Sequence, residues 1–177
     1  MSIEIKHPII RGLSRKMGIP VGGRYLKVEP FEKSVPVTTL IHPPTYIYAY
    51  PGKKLHSPGI IINKYGQGKV VYISGEIGRT FVKYNLNDYQ LLLKNAIRWV
   101  SNDNIPIETN LPSTIELSLF RQGNKRRVIH LVNCATKFLD EIISVHDSII
   151  KLKTSKEKVK KIFSLCNRDM LRYEIMK

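Results

Sequence analysis

The sequence predicts an α+β protein. Its first part sets short strands beside one strong helix, and its second part reads as a small, incomplete antiparallel β-sandwich. Three observations lead there. Apolar side chains recur at helical spacing over residues 87–100. Two apolar runs, 59–63 and 69–75, flank a connector that holds Gly66 and Gly68. Beyond Pro112 the pattern changes to two-residue alternation. The 177 residues are 42% hydrophobic and 24% charged, which excludes a mainly disordered chain. No apolar run approaches the ~20 residues of a membrane span. Residues 1–8 lack the basic and apolar stretches of a secretion signal. Cys134 and Cys166 are too few for a disulfide scaffold or a four-cysteine zinc site, so a cytoplasmic location is expected.

Taken in order, residues 7–13 read as a connection with a brief helical turn, punctuated later by Gly22 and Gly23. Residues 25–28 alternate weakly and predict a strand. Residues 35–41 are rich in Val, Thr and Ile and predict another, with Pro36 marking an edge or a start. Pro43, Pro44, Pro51 and Pro58 make 42–58 a long loop. The runs at 59–63 and 69–75 form a hairpin, because two glycines in five connecting residues supply the positive φ angles that a tight turn needs. Asn87 is the expected N-cap of the helix. Asp88 suits its positive pole, and Tyr89, Leu92, Leu93, Ala96, Trp99 and Val100 form its buried face. A boundary is placed within 101–106, which divides the chain into 1–103 and 104–177. After it, 114–120 and 127–133 form a second hairpin, and further strands are expected at 142–145, 149–152, 159–165 and 171–175.

The charge is strongly unbalanced, with 29 basic against 14 acidic residues and a formal net charge of +15. The excess is spread over both parts, so it is not a basic tail on a neutral body. It brings nucleic acid and anionic surfaces into consideration as partners.

The hairpin segment has a recognisable form. Gly59-Ile60-Ile61-Ile62-Asn63, Tyr65-Gly66-Gln67-Gly68 and Val70-Val71-Tyr72-Ile73-Ser74-Gly75-Glu76 follow one another. The run resembles a signature of large glycoside hydrolases that carry a β-galactosidase-trimerisation-type domain. That domain is glutamine-amidotransferase-like and related to flavodoxin-like folds. Residues 88–100 resemble its last helix. Ile115-Glu116-Leu117, His130-Leu131-Val132-Asn133 and Ile143-Ser144-Val145-His146-Asp147 resemble the β-sandwich that follows it. The resemblance implies that 1–103 is the C-terminal part of such an α/β domain and that the catalytic TIM barrel lies outside this chain. It also implies a domain that serves assembly and lacks an amidotransferase nucleophile. The chain is therefore expected to be a fragment or split subunit, and neither part completes its fold by itself: 1–103 offers one strong helix, and 171–175 ends in an unpartnered strand.

No catalytic residue, metal ligand or cofactor is expected. Glycosidases need two carboxyl groups about 5 to 9.5 Å apart. Glu76 is the one carboxylate worth naming, since it follows a strand and a glycine with Arg79 three residues on. Its simpler reading is a loop ion pair or a carboxylate at a helix start. Cys134 and His130 sit four apart on one strand, about 13 Å from each other, so Cys134 and Cys166 are expected to be small apolar core residues. The histidines have no metal-site spacing, and Gly66-Gln67-Gly68 joins two strands without opening a helix, unlike a phosphate loop. Tyr46, Tyr48 and Tyr50 form an aromatic group suited to stacking on a sugar, with packing as the simpler reading. Lys151, Lys153, Lys156, Lys158, Lys160 and Lys161 would grip a phosphate backbone. Their interleaving with Ile150, Leu152, Val159 and Ile162 is more simply the solvated face of strands.

The function expected is thus a non-catalytic accessory or assembly region of a glycoside-hydrolase-like protein. Its expected partner is a second copy or a separately encoded TIM-barrel subunit, with carbohydrate as a further ligand. A basic nucleic-acid-binding module is the alternative, and no membrane partner is expected.

Overall fold

The computed structural model describes residues 1–14, 18–43, 52–123, 126–135, 143–154 and 159–176. The chain is α+β and divides into two compact units, Met1–Asn104 and Ile105–Lys177.

The described residues of unit 1 form a four-stranded antiparallel sheet with two helices. Its strands are β1 (Ser2–Ile3), β2 (Val35–Ile41), β3 (Lys54–Tyr65) and β4 (Gly68–Ile73), in the order β1-β2-β3-β4. Every pairing is antiparallel, so the crossover helices of a doubly wound parallel sheet are not called for. β3 is central and is buried continuously from Ser57 to Ile62, which explains its unbroken apolar run. The β3–β4 hairpin turns through Gly66 at φ 57° and pairs Tyr65 with Gly68.

β3 begins at Lys54, within the stretch that the proline content marks as loop. Pro58 is tolerated because β4 reaches only as far as Ile60, leaving β2 as the neighbour of Pro58 in the sheet. The β2–β3 register also shifts next to Thr39, the residue opposite Pro58. Residues 25–28 do not form the expected strand. Tyr25 makes one isolated bridge to Gly75, and Val28 N–H donates to Ser57 Oγ at 3.1 Å, so a side chain replaces a ladder there.

A 3-10 turn at Pro8–Ile10 is opened by His7, whose Nδ1 accepts from Ile9 N–H at 3.3 Å. Two helices follow the sheet, α1 (Ile77–Tyr84) and α2 (Asn87–Val100). Sequence pattern alone misses α1, because Gly78, Thr80 and Val82 are poor helix formers and the segment is short. Left-handed Asn85, at φ 49°, ends it. The cap of α2 lies one residue earlier than expected: Leu86 occupies it and Asn87 is already helical.

The core of unit 1 joins Val37, Leu40, Ile60 and Ile62 of the sheet to Ile9, Ile10, Ile77, Tyr89, Leu92 and Ala96. Burial pushes the Tyr89 phenol above its ordinary range.

Among its described residues, unit 2 has no such centre. β5 (Ile107–Thr109) pairs with β8 (Ile150–Leu152), and β6 (Ile115–Gln122) pairs with β7 (Arg126–Asn133), each as a separate two-stranded sheet. No sandwich is formed among the described residues. The strand expected at 159–165 is reduced to an isolated Phe163–Met170 bridge, and residues 143–145 and 171–175 are not strands. Apolar alternation predicts those strands, but it cannot supply the neighbours that would pair with them. No helix among the described residues is long and apolar enough to cross a membrane.

Candidate functional site

Two of the groups that the sequence singles out, Glu76 with Arg79 and part of the lysine group, lie among the described residues, and the structure adds a third surface. Glu76 and Arg79 lie together at the start of α1. Arg79 Nη1 donates to Glu76 Oε2 at 3.3 Å, and the two side chains are 79% and 32% exposed for Arg79 and Glu76 respectively. The same oxygen accepts from Arg24 N–H at 3.4 Å, while Glu76 N–H donates to Arg24 O at 3.3 Å. Thr80 Oγ1 lies 2.7 Å from Glu76 O and 3.2 Å from Gly22 O. Gly23, at φ 76°, passes so close that a Cβ there would overlap Glu76 Oε2. These bonds tie the Gly22–Gly23 turn to the first turn of α1, and they occupy the Glu76 carboxylate with structural partners. Arg79 is the one ion-pair partner of Glu76 among the described residues.

The lysine group is only partly described, since Lys156 and Lys158 lie outside the described residues. Lys151 and Lys153 are exposed in and just after β8. Lys160 and Lys161 are exposed further on, with Lys161 Nζ 5.7 Å from the Phe163 ring centroid. Tyr46, Tyr48 and Tyr50 also lie outside the described residues. Cys134 and Cys166 are both exposed, which corrects their assignment to a core. No described residue of unit 2 is buried, so no core there receives them. Among the described residues, no three His, Cys, Asp or Glu side chains gather as a metal site.

The third surface is the β6–β7 ribbon. Its register sets Leu117 opposite Leu131 and Leu119 opposite Ile129, all on one face. The other face carries Phe120 opposite Val128 and Val132 opposite Glu116. Leu131, Val132 and Phe120 are each about half exposed, at 47%, 53% and 56%. His130 packs edge-on against Phe120 with ring centroids 5.2 Å apart. The ribbon is held within unit 2 by polar bonds: Arg127 Nη1 donates to Lys153 O at 2.7 Å, and Asn133 Nδ2 donates to Ile143 O at 2.8 Å. No described residue of unit 2 is buried. Ile162, Phe163, Leu165, Met170, Leu171 and Ile175 are also exposed. Composition and alternation show that this part has apolar faces, but not that none of its described residues is buried.

Searches of family models, curated proteins and solved structures return no match for this chain.

Proposed function

We propose that the chain is a non-catalytic assembly region of a glycoside-hydrolase-like protein, with unit 2 as its joining surface. One observation carries the reading: unit 2 presents apolar strand faces and has no buried residue among those described. A two-stranded ribbon is marginal by itself, and here Leu131 is exposed on one face, beside half-buried Leu117, Leu119 and Ile129, with Phe120 and Val132 exposed on the other; grouped apolar exposure of this kind marks an interaction site. Covering those faces with a second copy, or with a separately encoded barrel-bearing subunit, gives them the burial that unit 2 does not provide. The glycoside-hydrolase part of the reading, including the kinship of unit 1 to the end of an amidotransferase-like domain, rests on the resemblance of residues 58–79 and 88–100.

Size-exclusion chromatography with light scattering tests this on the full chain. A net charge of +15 opposes self-association, and salt screens it. The expected result at micromolar concentration is a mass above the 20.4 kDa of one chain, rising with ionic strength. A folded 20.4 kDa monomer at every salt concentration contradicts the reading. The chain alone is also expected not to hydrolyse aryl glycosides, because Glu76 is committed to the α1 turn. Robust turnover would overturn the non-catalytic assignment.

The alternative, a basic nucleic-acid-binding module, draws on the exposed Lys151, Lys153, Lys160 and Lys161 and on the charge excess. It has the opposite salt dependence, since association with a phosphate backbone weakens as salt rises. Tight, salt-sensitive retention of unspecific duplex DNA would favour it.

A further inference from the structure

Unit 1 holds a second feature, independent of the joining surface. Between the Pro8–Ile10 turn and the last turn of α2 lies a cleft of about 360 Å³, lined in part by Arg11, Lys69, Asn95, Arg98, Trp99 and Asp103. Three of these are cations and one is a carboxylate.

The existing partners show which charges are already used. Lys69 Nζ donates to Trp99 O at 3.3 Å and to Asn102 Oδ1, and it sits 5.0 Å from the Trp99 ring centroid. It thereby answers the negative pole of α2. Arg98 Nη1 donates to Asp103 Oδ1 at 2.5 Å. Asn95 Nδ2 donates to Ile9 O at 3.1 Å and to Arg11 O at 2.9 Å, which pins the Arg11 backbone to the rim. The Arg11 guanidinium itself has no hydrogen-bond or ion-pair partner among the described residues. Neither does the Trp99 indole N–H, a donor that accepts nothing. After the helix pole and Asp103 are set against Lys69 and Arg98, the Arg11 charge leaves the cleft net positive.

We propose that this cleft binds a phosphomonoester-type dianion. Such a group has several acceptor oxygens for a guanidinium fork and an ammonium to share. Its charge matches the surplus that Arg11 leaves. The volume falls within the range of small-molecule sites, so there is room beyond a bare ion for an attached organic group beside the indole.

Trp99 is the one tryptophan of the chain, so its fluorescence reads the cleft directly. The full chain is titrated with inorganic phosphate, glucose 6-phosphate and glucose, with sodium chloride holding the ionic strength constant. A saturable change with the phosphates is expected, with a Kd of about 1 mM or tighter, and none with glucose. Equal affinity for the two phosphates assigns the site to the free ion. Tighter binding of glucose 6-phosphate assigns it to a phosphorylated small molecule. Either result supports the proposal. Arg11→Ala should weaken binding about tenfold or more while leaving the unfolding transition of unit 1 in place, since the side chain holds nothing in the fold. No saturable response, an equal response to glucose, or an Arg11→Ala chain that binds as the parent does would overturn it. None of these results depends on the oligomeric state.

Discussion

Gly59 shows how one side chain can be forbidden at a residue whose backbone is ordinary. A Cβ there would lie 2.6 Å from Met1 Cγ and 2.8 Å from Thr38 Oγ1, inside the best-packed part of unit 1. Gly59→Ala should therefore destabilise unit 1 by about 1–3 kcal/mol, the usual cost of overpacking, as measured by urea unfolding followed through Trp99. His7 sets a pH dependence. Burial, and then the Lys69 charge, hold its imidazole below its ordinary value of 6.5. Between that lowered value and 6.5 the unfolded chain binds more protons than the folded one, so stability rises with pH across the window and is lost as pH falls through the folded value. The geometry gives the same sign, because a protonated Nδ1 cannot accept the Ile9 N–H. His7→Asn, which keeps an acceptor that does not titrate, should flatten the midpoint of unit 1 unfolding below pH 6.5. An unchanged slope would assign the dependence to other groups. One of these is Glu4, whose carboxyl is held down chiefly by the hydrogen bond from Lys54 at 2.8 Å.

Among the elements, those with strong local patterns are legible in the sequence. α2 declares itself through Tyr89, Leu92 and Ala96, and the β3–β4 hairpin through its glycines. Leu92→Ala should cost about 2–5 kcal/mol, because Leu92 is fully buried among sheet and turn residues. Elements whose existence depends on neighbours are not legible. The first five residues of β3 look like loop because of the prolines and become strand because β2 lies alongside. α1 has little intrinsic propensity and is fixed by the packing of Ile77 and Thr80. The strands expected at 159–165 and 171–175 have the right residues and no ladder to join. The candidate site follows the same rule. The proximity of Glu76 to Arg79 can be read from spacing, whereas the Gly23 and Arg24 contacts that occupy Glu76 come from more than fifty residues away in the chain. The β6–β7 ribbon is the element on which association should turn. Leu131→Lys places a charge on the face shared with Leu117, Leu119 and Ile129. It should weaken assembly roughly tenfold or more by light scattering while unit 1 unfolds as before.

At the scale of the whole molecule, the two units differ in kind. Unit 1 closes a core around Leu92, Tyr89 and Ile60, and unit 2 spreads comparable apolar residues over its surface. Nothing in composition separates them, because the apolar residues are present in both and burial depends on which faces meet. If unit 2 is the joining surface, it depends on a partner surface for its order. Amide hydrogen exchange on the full chain, compared between dilute monomer and assembled sample, measures that dependence strand by strand. β3, β4 and α2 should be protected in both samples, while β6 and β7 should exchange rapidly in the monomer and slow markedly on assembly. Protection of β6 and β7 in the monomer equal to that of β3 would contradict that dependence.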